Sequence, residues 1–103
     1  MEKKIILMFK RKVLEILKSS KAEFILFGSR ARGDAGEFSD YDFLIITPEP
    51  VEDHVKENIE EIEMNIFIQH NAIINSHIFS EEELKQLSFE PFIMNALTEG
   101  AAA

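Results

Sequence analysis

The residues best suited to chemistry lie close together, in Gly28-Ser29-Arg30-Ala31-Arg32-Gly33-Asp34 and then Ser39-Asp40-Tyr41-Asp42. Gly28 lets the backbone turn tightly and approach a ligand closely. Ser29 falls at the predicted first turn of a short helix, where backbone N–H groups and its own hydroxyl can hold phosphate oxygens. Arg30 and Arg32 add fixed positive charge within the same turn, and a guanidinium can grip phosphate through paired hydrogen bonds. Asp40 and Asp42 are two apart on a predicted strand, so both carboxylates leave one face while Tyr41 leaves the other. Two neighbouring carboxylates repel unless a cation lies between them or one takes a proton. Hard oxygen ligands at an open strand end suit Mg2+, which keeps waters and substrate phosphates in its shell. The phosphate grip and the carboxylate pair would then meet over one triphosphate.

The elements that must position these groups follow from periodicity. Ile5, Ile6, Phe9, Val13, Ile16 and Leu17 recur at helical spacing and predict an amphipathic helix over residues 2–19. Residues 23–27 are a short apolar run ended by Gly28, which reads as a buried strand. Residues 40–47 form a second strand, closed by Pro48 and Pro50. Val51, Val55, Ile59, Ile62 and Ile66 mark a second long helix to about His70. Residues 72–79 read as a third strand. Ser80 with Glu83 matches a capping box, Pro91 restarts the helix, and Gly100 stops it. The order α-β-β-α-β-α predicts a small α/β (α+β) domain, a mixed sheet with helices over one face, spanning residues 1–100. Residues 101–103 read as a disordered tail or an expression scar.

Gly28-Ser29, ten residues, then Asp40-x-Asp42 before an apolar strand resembles the signature of the DNA polymerase beta-like nucleotidyltransferase superfamily. The run Phe27-Gly28-Ser29-Arg30-Ala31-Arg32-Gly33-Asp34 is similar to its minimal stand-alone branch, often called MNT. So are Ser80-Glu81-Glu82-Glu83-Leu84, Pro91-Phe92 and Glu99-Gly100. The resemblance implies a nucleotidyltransferase fold and an enzyme using Mg2+ and ATP or another nucleoside triphosphate. A hydroxyl of a protein or small molecule would take the nucleoside monophosphate, AMP in the leading reading, as pyrophosphate leaves. Carried over, Gly28 and Ser29 cradle phosphates, Asp40 and Asp42 hold metal and are the catalytic pair, and Arg30 and Arg32 assist phosphate binding. Minimal members often pair with a helical HEPN protein as its antitoxin, which makes a HEPN-like partner an expectation here too.

The superfamily's site also has a third carboxylate on the next strand. Alignment places Asn75 there, and an amide cannot accept a proton as a base. His77, two residues on, can. Glu60, Glu61 and Glu63 on the preceding helix are further candidates to reach the site. Two readings therefore stand side by side: an active transferase with a substitute base, and a catalytically impaired nucleotide-binding or partner-docking module.

The bulk properties set limits. The 103 residues suit one domain, and the absence of cysteine excludes disulfides and thiolate metal sites. Residues 1–34 carry nine Lys/Arg against four Asp/Glu, whereas residues 35–103 carry two against fifteen. The total of −8 argues against broad binding to nucleic-acid backbones, while the basic third leaves docking on an acidic partner open. No apolar run is long enough to span a membrane; the lack of cysteine fits a reducing cytosol, so a cytoplasmic protein is expected, with a homodimer left open.

Overall fold

The computed structural model describes residues 2–18, 21–28 and 40–103. Helix α1 (Glu2–Leu17) buries Ile5, Phe9 and Val13, which fall on one stripe because they are spaced by four. Strand β1 (Glu23–Phe27) runs antiparallel to β2 (Tyr41–Thr47), with Phe24 opposite Ile45 and Phe27 opposite Asp42. Helix α2 (Asp53–His70) carries the chain back, so that β3 (Ile74–Ser80) lies parallel to β2. A parallel pair requires a crossover of this kind. Asn71 ends α2 in the left-handed conformation (φ 54°) and donates its N–H to the Phe67 carbonyl, a stop that asparagine tolerates.

The predicted capping box opens α3 (Glu81–Gln86). The Glu83 N–H donates to Ser80 Oγ at 3.1 Å, and the Ser80 N–H donates to Glu83 Oε1 at 2.8 Å. That backbone donor is the main reason the Glu83 carboxyl lies below its ordinary pKa. Pro91 starts α4 (Pro91–Glu99) and Gly100 caps it, as expected from sequence.

The sheet order is β3-β2-β1-β4, where β4 is Ala101–Ala102. Two expectations are corrected here. Residues 101–103 do not form a loose tail: Ala101 and Ala102 pair with Leu26 and Ile25, and the Ala103 N–H donates to the Phe24 carbonyl at 2.9 Å. Lys10 Nζ donates to the Ala103 carbonyl at 2.7 Å. Such pairing uses backbone groups alone, so alanine side chains give no signal of it.

Nor do the helices cover one face only. Phe24, Leu26, Tyr41, Phe43 and Ile45 form one core with α1 and α2, including Phe9, Ile59 and Ile66. The alternate residues Leu44 and Ile46 form a second core with Ile93 and Ala96 of α4. Five consecutive residues of β2, Phe43 through Thr47, are buried, the mark of a strand covered on both faces. No helix among the described residues is long and apolar enough to cross a membrane.

Candidate active site

The second face of the sheet ends in a polar corner. Asp42 is on β2, Asp40 precedes that strand, and Asn75 stands opposite Asp42 in the parallel ladder. Asn75 Nδ2 donates to Asp40 Oδ2 at 2.8 Å and lies 3.4 Å from Asp42 Oδ1. The two carboxylates thus reach a common atom, as side chains two apart on extended backbone should.

Gly28 closes the corner from β1. Its φ is +80°, a conformation that residues with a Cβ rarely adopt. A Cβ built there would stand 2.6 Å from Asp42 Oδ2. Glycine is therefore required twice, for the turn and for the room the carboxylate occupies. Ser29, Arg30 and Arg32, expected to grip phosphate, lie outside the described residues.

His77 leaves the same face as Asn75, but two residues farther along, about 6–7 Å. It stands opposite Leu44, with ring centroids 6.3 Å from Phe27 and 5.0 Å from Phe92. Phe92 in turn stands 6.3 Å from Phe79. This aromatic flank was not read from the sequence. Its one local signal is that Phe27 directly precedes Gly28, and Phe92 is brought in by tertiary packing alone.

Of the α2 carboxylates, Glu63 is held by β3 on the other face. Ser76 alternates with Asn75 and His77, and its Oγ donates to Glu63 Oε1 at 2.6 Å. Glu63 therefore lies across the sheet from Asp42, with the helix that covers the opposite face, and the expectation that α2 supplies an acid to the site through it is corrected. Burial raises the Glu63 carboxyl above its ordinary pKa, against the Ser76 hydrogen bond and with Glu60 adding to the rise.

An open cavity of about 730 Å³ lies at the Thr47 end of β2, among Ile16, Leu17, Pro48, Val51 and Val55. It is at the opposite end of the strand from Asp42, and its rim also carries Lys21, Glu49, Glu52 and His54, with His54 Nδ1 3.2 Å from Glu52 Oε2. No group of three or more His, Asp or Glu side chains among the described residues could hold a metal. Asp40 and Asp42 remain a two-carboxylate set, which fits a hard cation that brings other ligands with it.

Comparison with known proteins identifies the family and the fold. The profile of the nucleotidyltransferase domain matches residues 9–98, a span containing Gly28, Asp40, Asp42 and Asn75. A protein of Methanocaldococcus jannaschii with the provisional name protein adenylyltransferase MJ0141 is 36% identical over 73 residues, covering 71% of this chain and 74% of that protein. A crystal structure of a toxin-antitoxin with AMP-PNP matches with a TM-score of 0.58 at 14% identity, over 91% of this chain and 68% of that one. A double Asp-to-Glu mutant of the toxin-antitoxin MntA-HpeT matches at 0.55 and 12%, over 89% and 69%. At such identities the two structures speak for the fold, a mixed sheet with helices of nucleotidyltransferase type. Profile and relative together establish the family: this chain belongs to the nucleotidyltransferase domain family.

Proposed function

We propose that the chain transfers AMP from ATP to a hydroxyl, with a protein as the preferred acceptor, and that Asp40 and Asp42 bind the Mg2+ of the nucleotide. The observation that carries this reading is the convergence of the two carboxylates on Asn75 Nδ2, beside the backbone of Gly28. The name of the M. jannaschii relative supports adenylyl transfer to protein. The toxin-antitoxin neighbours support a role beside a partner, and we assign that partner as a HEPN-like helical protein with this chain as the antitoxin.

When bound, Mg2+ would neutralise phosphate charge and orient the α-phosphate. The residues of the chain do the rest. Gly28 lets the backbone come close to the phosphates, with Ser29, Arg30 and Arg32 completing the grip. The carboxylates fix where the triphosphate lies, so that the acceptor oxygen can bond to the α-phosphorus in line as the bond to pyrophosphate breaks. Asn75 cannot take the acceptor's proton. On that strand His77 is the group on the same face with a basic nitrogen.

The second reading, a nucleotide-binding or docking module without turnover, is favoured by the same asparagine. Pyrophosphate release in the presence of Mg2+, ATP and a candidate partner separates the two. We expect release from the wild type and a loss of about 10²–10³-fold in Asp42→Ala, the scale of one removed electrostatic group. Asp42 is half-buried at the strand end, so a matching thermal melt controls for folding. Unchanged release in the variant would refute the site, and tight ATP binding without release would select the module.

A further inference from the structure

What Asn75 gives the carboxylates differs in kind from what another acid would give. Its amide N–H group carries partial positive charge and is held by strand register directly opposite Asp42. From there Nδ2 spans Asp40 Oδ2 at 2.8 Å and Asp42 Oδ1 at 3.4 Å. The other Asp42 oxygen, Oδ2, faces Gly28. A neutral donor between two carboxylates offsets part of their repulsion, yet adds no negative charge to attract a cation. A divalent ion held between the two carboxylates would compete with the amide for the lone pairs it occupies on Asp40 Oδ2 and Asp42 Oδ1.

We propose that Asn75 is a positioning residue that satisfies the Asp40–Asp42 pair through its amide, weakens the pair's hold on a bare divalent ion, and so makes it take the ion together with a triphosphate. The inference rests on Asp40 and Asp42 being the metal pair. Phosphate oxygens bring the negative ligands that the two-carboxylate set lacks. Hydrogen bonds to ionised acceptors are stronger than neutral ones, so the competition is large enough to measure. Linkage makes it reciprocal: the factor by which nucleotide tightens the ion equals the factor by which the ion tightens nucleotide.

The test is direct titration of Mn2+, followed by its electron paramagnetic resonance signal, into the full chain with and without a non-hydrolysable ATP analogue. Wild type, Asn75→Ala and Asn75→Asp are compared, with thermal melts as folding controls. Asn75→Ala is expected to bind bare Mn2+ about fivefold more tightly than wild type, the scale of one lost net hydrogen bond. Asn75→Asp, close to isosteric, is expected to gain about tenfold or more by adding a carboxylate ligand. In both variants the tightening by the analogue should shrink. Bare Mn2+ binding that is unchanged or weaker in Asn75→Ala overturns the inference, because the amide would then be a bystander or a ligand through its carbonyl. If Asn75→Ala melts early, an unchanged analogue dependence in Asn75→Asp overturns it instead. Absence of Mn2+ binding in every form, even with the analogue, is the distinct result that removes the metal-pair reading and this inference with it.

Discussion

The two faces of one strand, β2, are treated differently by the fold. On one side Tyr41, Phe43 and Ile45 are buried for the whole length of the strand beneath α1 and α2. On the other, Leu44 and Ile46 lie under Ile93 and Ala96 of α4, and the apolar cover stops there. Asp42, next in that row, is left half-buried at the corner with Gly28 and Asn75. The contrast shows how so small a domain keeps two carboxylates side by side. One face is packed without interruption and anchors the strand, and the other is packed only as far as it can be without burying unpaired charge. Alternation along extended backbone does the sorting, since a shift of one residue would exchange the two sets.

The comparison can be broken most severely from the covered side. Phe43 is fully buried, with its ring centroid 5.0 Å from that of Phe9. Phe43→Ala is expected to cost about 3–5 kcal/mol in unfolding free energy measured by denaturant, with nucleotide binding lost only because the fold is lost. On the open side, Gly28→Ala places a Cβ against Asp42 Oδ2 and forces a side chain onto positive φ. The backbone penalty is about 1–2 kcal/mol, and Mg2+-dependent ATP binding should fall by more than the melt accounts for. A variant that lost stability but bound ATP normally would show that the corner tolerates displacement of Asp42.

The smallest effect sharpens the boundary between the faces. The Glu63 carboxyl is raised, chiefly by burial. A folded-state pKa above the unfolded one means that stability is fully present at pH below the ordinary glutamate value and falls as pH rises through the folded value. Glu63→Gln keeps an acceptor for Ser76 and removes the titration. Its unfolding free energy should therefore be flatter than wild type in the interval just above about pH 4.5, with pyrophosphate release unchanged because Glu63 is across the sheet from Asp42.

Much of this was legible before any coordinates. The capping box at Ser80, the restart at Pro91 and the stop at Gly100 rest on interactions within three or four residues, which a linear reading sees. Asp40 and Asp42 were legible as a pair because a period of two is a local property. The second helical face was less so, although the unbroken run Phe43-Leu44-Ile45-Ile46 already implied cover on both sides. The sequence leaves Glu60, Glu61 and Glu63 open as candidates, because helical periodicity gives a buried stripe without saying which sheet face receives it. The pairing of Ala101 and Ala102 with β1 could not be read at all, since it is carried by backbone groups that every sequence possesses.

The parallel pairing of β2 with β3 has a kinetic consequence. Asp42 and Asn75 become neighbours only after the entire α2 crossover has been made and folded back. Hairpin pairing of β1 with β2 closes a far shorter loop and can precede it. The carboxylate corner is therefore expected to be a late product of folding, absent from any nascent chain that ends before residue 75.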